Sequence, residues 1–151
     1  MGDRIVVRLR SGGDYSPDFY GHWCGLRAIR VMDALVKGGE FNGMNSLMCN
    51  FVVAVMDYRT HPYSYYLYSH GEADGSADWD NYTWTFDLDT NTWSTTHPEL
   101  KDRNLSIEEV ERWLGDSGYP EGTVNPFMSP SKKGSKSGKK HRKLLGRRRA
   151  R

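Results

Sequence analysis

Tyr82-Thr-Trp-Thr-Phe-Asp-Leu88, the turn Asp89-Thr-Asn91 and Thr92-Trp93-Ser94 together form the clearest local signal in this 151-residue chain. Apolar and polar residues alternate up to a short Asp/Asn turn. A period of two sends successive side chains to opposite faces of a strand, and a turn of this composition lets the chain double back. The stretch therefore predicts a β-hairpin. Upstream of it, Gly71–Asp78 is rich in Gly and Asp and reads as an acidic loop, and Tyr63-Ser-Tyr-Tyr-Leu-Tyr-Ser69 reads as an aromatic strand. Downstream, Ser106-Ile-Glu-Glu109 is a capping box, in which a hydroxyl and a carboxylate each take an orphan backbone amide at a helix start. The helix it opens carries Ile107, Val110 and Leu114, with Trp113 as a further candidate, and stops near Gly115 or Gly118.

Further from the hairpin, Arg4–Arg10 alternates Ile5, Val7 and Leu9 with Val6, Arg8 and Arg10, the pattern of a half-buried strand, and Ser11–Asp14 is a turn. Asp18–Trp23 reads as a short strand running into a helix. From Cys24 to Lys37, Leu26, Ile29, Met32, Leu35 and Val36 recur at helical spacing, and Gly38-Gly39 supplies the stop. A second helix is predicted from about Asn45 to Tyr58, with a strand as the competing reading for Phe51–Val55. The fold class is α+β: a small antiparallel sheet with two or three helices packed mainly on one face, and a disordered basic C-terminal tail. Residues 1–118 form the globular domain. Residues 119–130, with three prolines, form a linker, and residues 131–151 are too polar to build a core.

Apolar residues make up 37% of the chain and aromatics 13%, enough for one core. The longest apolar runs, such as Phe51–Met56, are too short to cross a bilayer, so no membrane span is expected. Met1-Gly2-Asp3-Arg4 leads directly into a strand-like segment, with no secretory signal. Cys24 and Cys49 are too few for a disulfide framework, which points to a reducing compartment: the cytoplasm, or the nucleus of a eukaryotic host.

The net charge of +2 conceals a segregation. Residues 131–151 hold 11 of the 21 Lys and Arg and none of the 19 acids, leaving residues 1–130 with ten basic and nineteen acidic side chains, a formal −9. An acidic body joined to a basic arm is the signature of a partner that is nucleic acid, DNA or RNA, or another polyanion. Lys132, Lys133, Lys136, Lys139, Lys140, Arg142, Lys143, Arg147, Arg148, Arg149 and Arg151 would carry that binding. Lysines supply point charges, while arginines add a fork that matches phosphate oxygens. The arm would position the protein without reading sequence. It would serve equally as a nuclear address, or fold back to screen its own body.

Tyr20-Gly-His22-Trp23-Cys-Gly25, between strand and helix, resembles a motif of small uncharacterised phage and prokaryotic proteins, aromatic-x-His-Trp-x-Gly. The resemblance extends loosely over Ile5 to Trp93. It implies strand, helix, helix and aromatic hairpin in that order, and no activity. The basic tail lies outside it.

The residues offer several other chemistries. Cys24, at an expected helix start, would feel the positive end of the helix dipole, and with His22 or His70 as base it would make a thiol nucleophile. His22, Cys24, Cys49 and His70 are a set from which a tetrahedral zinc site would be drawn, although paired C-x2-C spacing is absent. Asp74, Asp78 and Asp80 have the oxygen chemistry of a calcium or magnesium loop without its spacing. The ordinary readings compete with each: a small buried cysteine, a solvated acidic loop, and a junction fixed by His22 through hydrogen bonding and by Trp23 through burial. Tyr63, Tyr65, Tyr66, Tyr68, Tyr82, Trp84 and Trp93 are either core or a platform for stacking bases, and the −9 body argues for core. No cofactor or metal is expected. The leading expectation is a non-enzymatic protein that binds nucleic acid or nucleoprotein through the arm, with the acidic body as adaptor. A thiol or metal enzyme around His22, Cys24 and His70, and an interaction or inhibitor module using the acidic body on a protein partner, are the alternatives.

Overall fold

The β-branched run at the N-terminus forms strand β1 (Ile5–Ser11), and every other strand is placed by it. The structure, a computed structural model, describes residues 3–56 and 64–116. Gly12 and Gly13, at φ 58° and 87°, turn the chain back, positions that a side chain would strain. The return path is β2 (Asp14–Tyr15) and β3 (Asp18–Gly21), both antiparallel to β1, with Val7 opposite Phe19. Helices α1 (Arg27–Gly38) and α2 (Gly43–Val55) follow, then β4 (Tyr65–Tyr68), β5 (Thr83–Asp87), β6 (Thr92–Thr95), β7 (Leu105–Ser106) and α3 (Ile107–Asp116). The sheet order is β4-β3-β1-β5-β6-β7, with β2 beside the end of β1. The expected linker 119–130 and basic tail 131–151 lie outside the described residues.

The α+β class holds, and all three helices contribute to one core on a single face of the sheet. Ile5, Val7 and Leu9 of β1, with Phe19, Trp84, Phe86 and Trp93 from its neighbours, meet Ile29 and Met32 of α1, Leu47 and Phe51 of α2, and Val110 and Leu114 of α3. Each large side chain removed from water here contributes about 1.5–3 kcal/mol, and Phe19, Phe51, Trp84, Phe86 and Trp93 are the largest of them. Local signals act where they were read. Gly39, at φ 68°, caps α1 by donating to the carbonyls of Leu35 and Val36. Ser106 Oγ accepts from the Glu109 amide at 3.1 Å while the Glu109 carboxylate takes the Ser106 amide at 2.8 Å. Phe51–Val55 is helix, as the longer apolar spacing required.

The sheet differs from the expectation in one pairing. All its ladders are antiparallel except β1 with β5, which is parallel from Val6 opposite Thr83 to Arg10 opposite Asp87. The reason is the path of residues 69–82. From β4, at one edge of the sheet, this segment crosses over the face opposite the helices and delivers β5 to the far side of β1, running in the same sense. A period of two reports which side chains share a face but carries no information about strand direction. Among the described residues no helix is long and apolar enough to cross a membrane.

Candidate functional site

Pleating sends Val6, Arg8 and Arg10 of β1 to the face away from the helices, together with Asp18 and Tyr20 of β3, and register carries Tyr66, Tyr68, Thr83, Thr85 and Ser94 onto the same side. The middle of this face is covered. Residues 69–82 cross it as a succession of turns, each donating an amide to the carbonyl three residues back, from Glu72 onto Ser69 through Asp80 onto Ala77. Ala73 and Ala77 are small enough to lie directly on Val6 and Tyr20, and both are buried.

The acids of this segment hold it to the sheet. Arg8, only 7% exposed, lies between two carboxylates: its Nε and Nη2 each stand 2.8 Å from an oxygen of Asp18, and Nη2 also reaches Asp74. Asp18 is fully buried and accepts the Gly71 amide at 2.9 Å. Asp80 pairs with Arg4, and Asn81 donates to Asp3. Two of the three aspartates read as possible cation ligands, Asp74 and Asp80, are thus engaged with arginines. No cluster of three or more His, Cys, Asp or Glu among the described residues is placed to hold a metal ion.

Two polar clefts flank Arg8. One, of about 580 Å³, lies between Asp74, Asp78 and the hydroxyls of Thr83, Thr85 and Ser94. The other, of about 350 Å³, is bounded by Arg10, Tyr15, His70 and Asp87. Their walls offer hydroxyls and carboxylates. Arg8 at their junction and Arg10 in the second are both paired with carboxylates, so neither cleft is built to grip a phosphate.

The residues of the thiol reading are not brought together. His70 stacks on Tyr15, with ring centroids 4.0 Å apart, and stands 3.6 Å from Asp18 at the start of β3. His22 follows the other end of that strand, about 13 Å along it at strand rise, and lies on Tyr20 and Trp23. Cys24 faces the core, and α1 begins only at Arg27, so the dipole argument does not apply. Burial, aided by the nearby Asp3 carboxylate, pushes its thiol up to about 12, the opposite of activation. Cys49 is exposed on α2.

The motif Tyr20–Gly25 is a packing corner. A Cβ on Gly21 would overlap the Cys24 sulfur, and one on Gly25, which has φ 48°, would overlap the Asp3 carboxylate. His22 donates its amide to Ser64 O at 2.8 Å and accepts the Asp3 amide at 2.9 Å, tying the N-terminus to the start of β4. Trp23 does not act through burial as expected: it is 53% exposed, with its ring against His22 at 4.9 Å.

The aromatic residues divide by the parity of their strands. Trp84 and Trp93 are buried, and Tyr65 packs against the core on Phe19. Tyr66 and Tyr68 point the other way, with Tyr20, and are exposed. Tyr63 lies outside the described residues, as do all eleven Lys and Arg of the arm. Asp33 escaped the sequence reading: it is fully buried on α1 and accepts the Trp93 indole N–H at 2.7 Å. Its position four residues after Ile29, on the apolar stripe of α1, was the available signal. The chain matches no known family model, no curated protein and no solved structure.

Proposed function

We propose that this protein binds nucleic acid, alone or as nucleoprotein, through the basic segment 131–151, and that the acidic folded body acts as an adaptor without chemistry of its own. The supporting observation is charge placement. Eleven of the 21 Lys and Arg fall in the last 21 residues with no acid among them, whereas in the body Arg4, Arg8, Arg10, Lys37 and Arg103 are each held by a carboxylate. A polyanion therefore finds its counter-charge in the arm. Binding of this kind gains free energy by releasing condensed counterions, so affinity falls steeply with salt. With about half of the arm engaged on duplex DNA, log K against log salt should slope at about −5.

The test is a duplex titration across a salt series, with full-length protein and with a variant carrying Gln at all eleven Lys and Arg of the arm. The expected result is a steep slope for the first and little binding for the second, with the same melting temperature for both. Equal affinity of the two proteins would refute the reading.

A further inference from the structure

On the open face beside the sheet edge, Tyr20, Tyr66 and Tyr68 form a contiguous group, extended by His22 and Trp23. Tyr66 and Tyr68 are 45% and 38% exposed. Their centroids are 6.0 Å apart and their planes 26° from parallel, while Tyr20 sits across the strand pair, 6.0 Å from Tyr66 and 6.3 Å from Tyr68. Tyr20 is inclined 46° to Tyr66 and 72° to Tyr68, so of the three only Tyr66 and Tyr68 turn their faces in similar directions. Tyr20 is half-buried, packed with Ala73 and Ala77, and backs the two outward rings, and contiguous exposed aromatics of this kind mark a contact surface. The patch also escapes the acidity of the body, since Arg4 and Asp80 beside Tyr20 form an ion pair with each other. A near-parallel pair of exposed aromatic rings suits an uncharged π-face and not a phosphate. Sheet faces that bind single strands use this chemistry, with two or three aromatic rings each stacking one base.

We infer that Tyr66 and Tyr68, backed by Tyr20 and with Trp23 at the margin, form a stacking platform for the unpaired bases of single-stranded nucleic acid, whose phosphates the basic arm neutralises. This rests on the arm reading and makes it specific. The arm alone favours duplex, which carries twice the charge per unit length. A preference for single strands therefore has to come from the rings, because paired bases present no free face. The arm has no aromatic residue of its own between 131 and 151 to supply it.

The experiment compares an unstructured oligothymidine with a duplex of matched length, using full-length protein throughout. The variants are Tyr66→Thr with Tyr68→Thr, which removes the rings but keeps β-branched strand formers, Tyr66→Phe with Tyr68→Phe, and the Gln-substituted arm. The expected result is tighter binding of the single strand by the parent chain. The Thr variant should lose at least about fivefold for each base unstacked while keeping its duplex affinity, and the Phe variant should retain the preference. Parent and Thr variants that bind both probes alike would overturn the platform and leave the arm reading standing. If the parent binds neither probe, both fall. If the Gln-arm protein still prefers the single strand and the Thr change abolishes this, the platform stands and the arm reading fails.

Discussion

Replacing Asp33 by Asn should reverse the order of stability of the two proteins with pH. Asp33 is fully buried, with Oδ1 accepting from Trp93 at 2.7 Å and Oδ2 lacking a hydrogen-bond partner among the described residues. Burial drives its carboxyl from 3.8 up to about 7, with Glu111 pushing the same way while the Trp93 hydrogen bond, Lys37 and Arg30 oppose. That change makes the ionised form in the folded state about 4 kcal/mol less favourable than in the unfolded chain. The sign follows directly. The unfolded carboxyl loses its proton near pH 4 and the folded one near pH 7, so folding takes up a proton between these values and stability falls as pH rises through that window. Asn keeps the acceptor for Trp93 and has no proton to lose, but its amide carries two N–H donors where the neutral carboxyl carries one O–H, and the additional unsatisfied donor costs about 1–3 kcal/mol. Parent protein should therefore be the more stable near pH 4, and the variant near pH 8. Urea unfolding followed by tryptophan fluorescence gives the difference, in which every other titration cancels. That difference should move by about 3 kcal/mol toward the variant between about pH 5 and about pH 8. A difference that stays constant with pH would refute the assignment of a neutral buried carboxyl.

Two further outcomes are expected of the folded body. Arg8→Ala leaves Asp18 buried without its cation and should cost about 3–5 kcal/mol in urea unfolding, far more than the loss of an exposed arginine. In thiol titration with a chromogenic disulfide, one equivalent, Cys49, should react in the native protein and a second, Cys24, only after denaturant is added. Two fast equivalents in the native state would contradict the burial of Cys24.

What could be read from the residues was what is decided locally. The Asp87–Asn91 turn uses the Asp87 carboxylate to accept the amides of Asp89 and Thr90, and the Ser106–Glu109 box closes within four residues, so both are written into adjacent positions. Arg8 misled because alternation identifies a face without saying whether something covers it. The cover is encoded 63 to 69 residues later, in the small residues Gly71, Ala73, Gly75 and Ala77, and becomes meaningful only once that segment is known to cross β1. The same holds for Tyr65 and Tyr66, whose parity is set by their register against Gly21 and Tyr20. The two-residue strands β2 and β7 have no period to detect. Trp23, expected to act through burial, is half exposed against the His22 ring, and Asp33, which no local pattern singles out as an acceptor, is buried because the Trp93 indole meets it from 60 residues away.

The parallel junction of β1 with β5 has a consequence for how the chain is made. Val7 waits for Trp84, 77 residues away, before its second edge is satisfied, so the centre of the sheet cannot close while the two helices and the crossing segment are being made. At synthesis rates of about 5–20 residues per second, that edge stays open for about 4–15 seconds after β1 leaves the ribosome. Closing so long a loop also costs entropy that only the finished core returns, which makes folding slower than the helix content alone would suggest. During this interval an apolar strand with unpaired amides is exposed to other nascent copies. Arg4 and Arg10 meet Asp80 and Asp87 only when that interval ends, and until then they are like charges that disfavour pairing of such strands with one another.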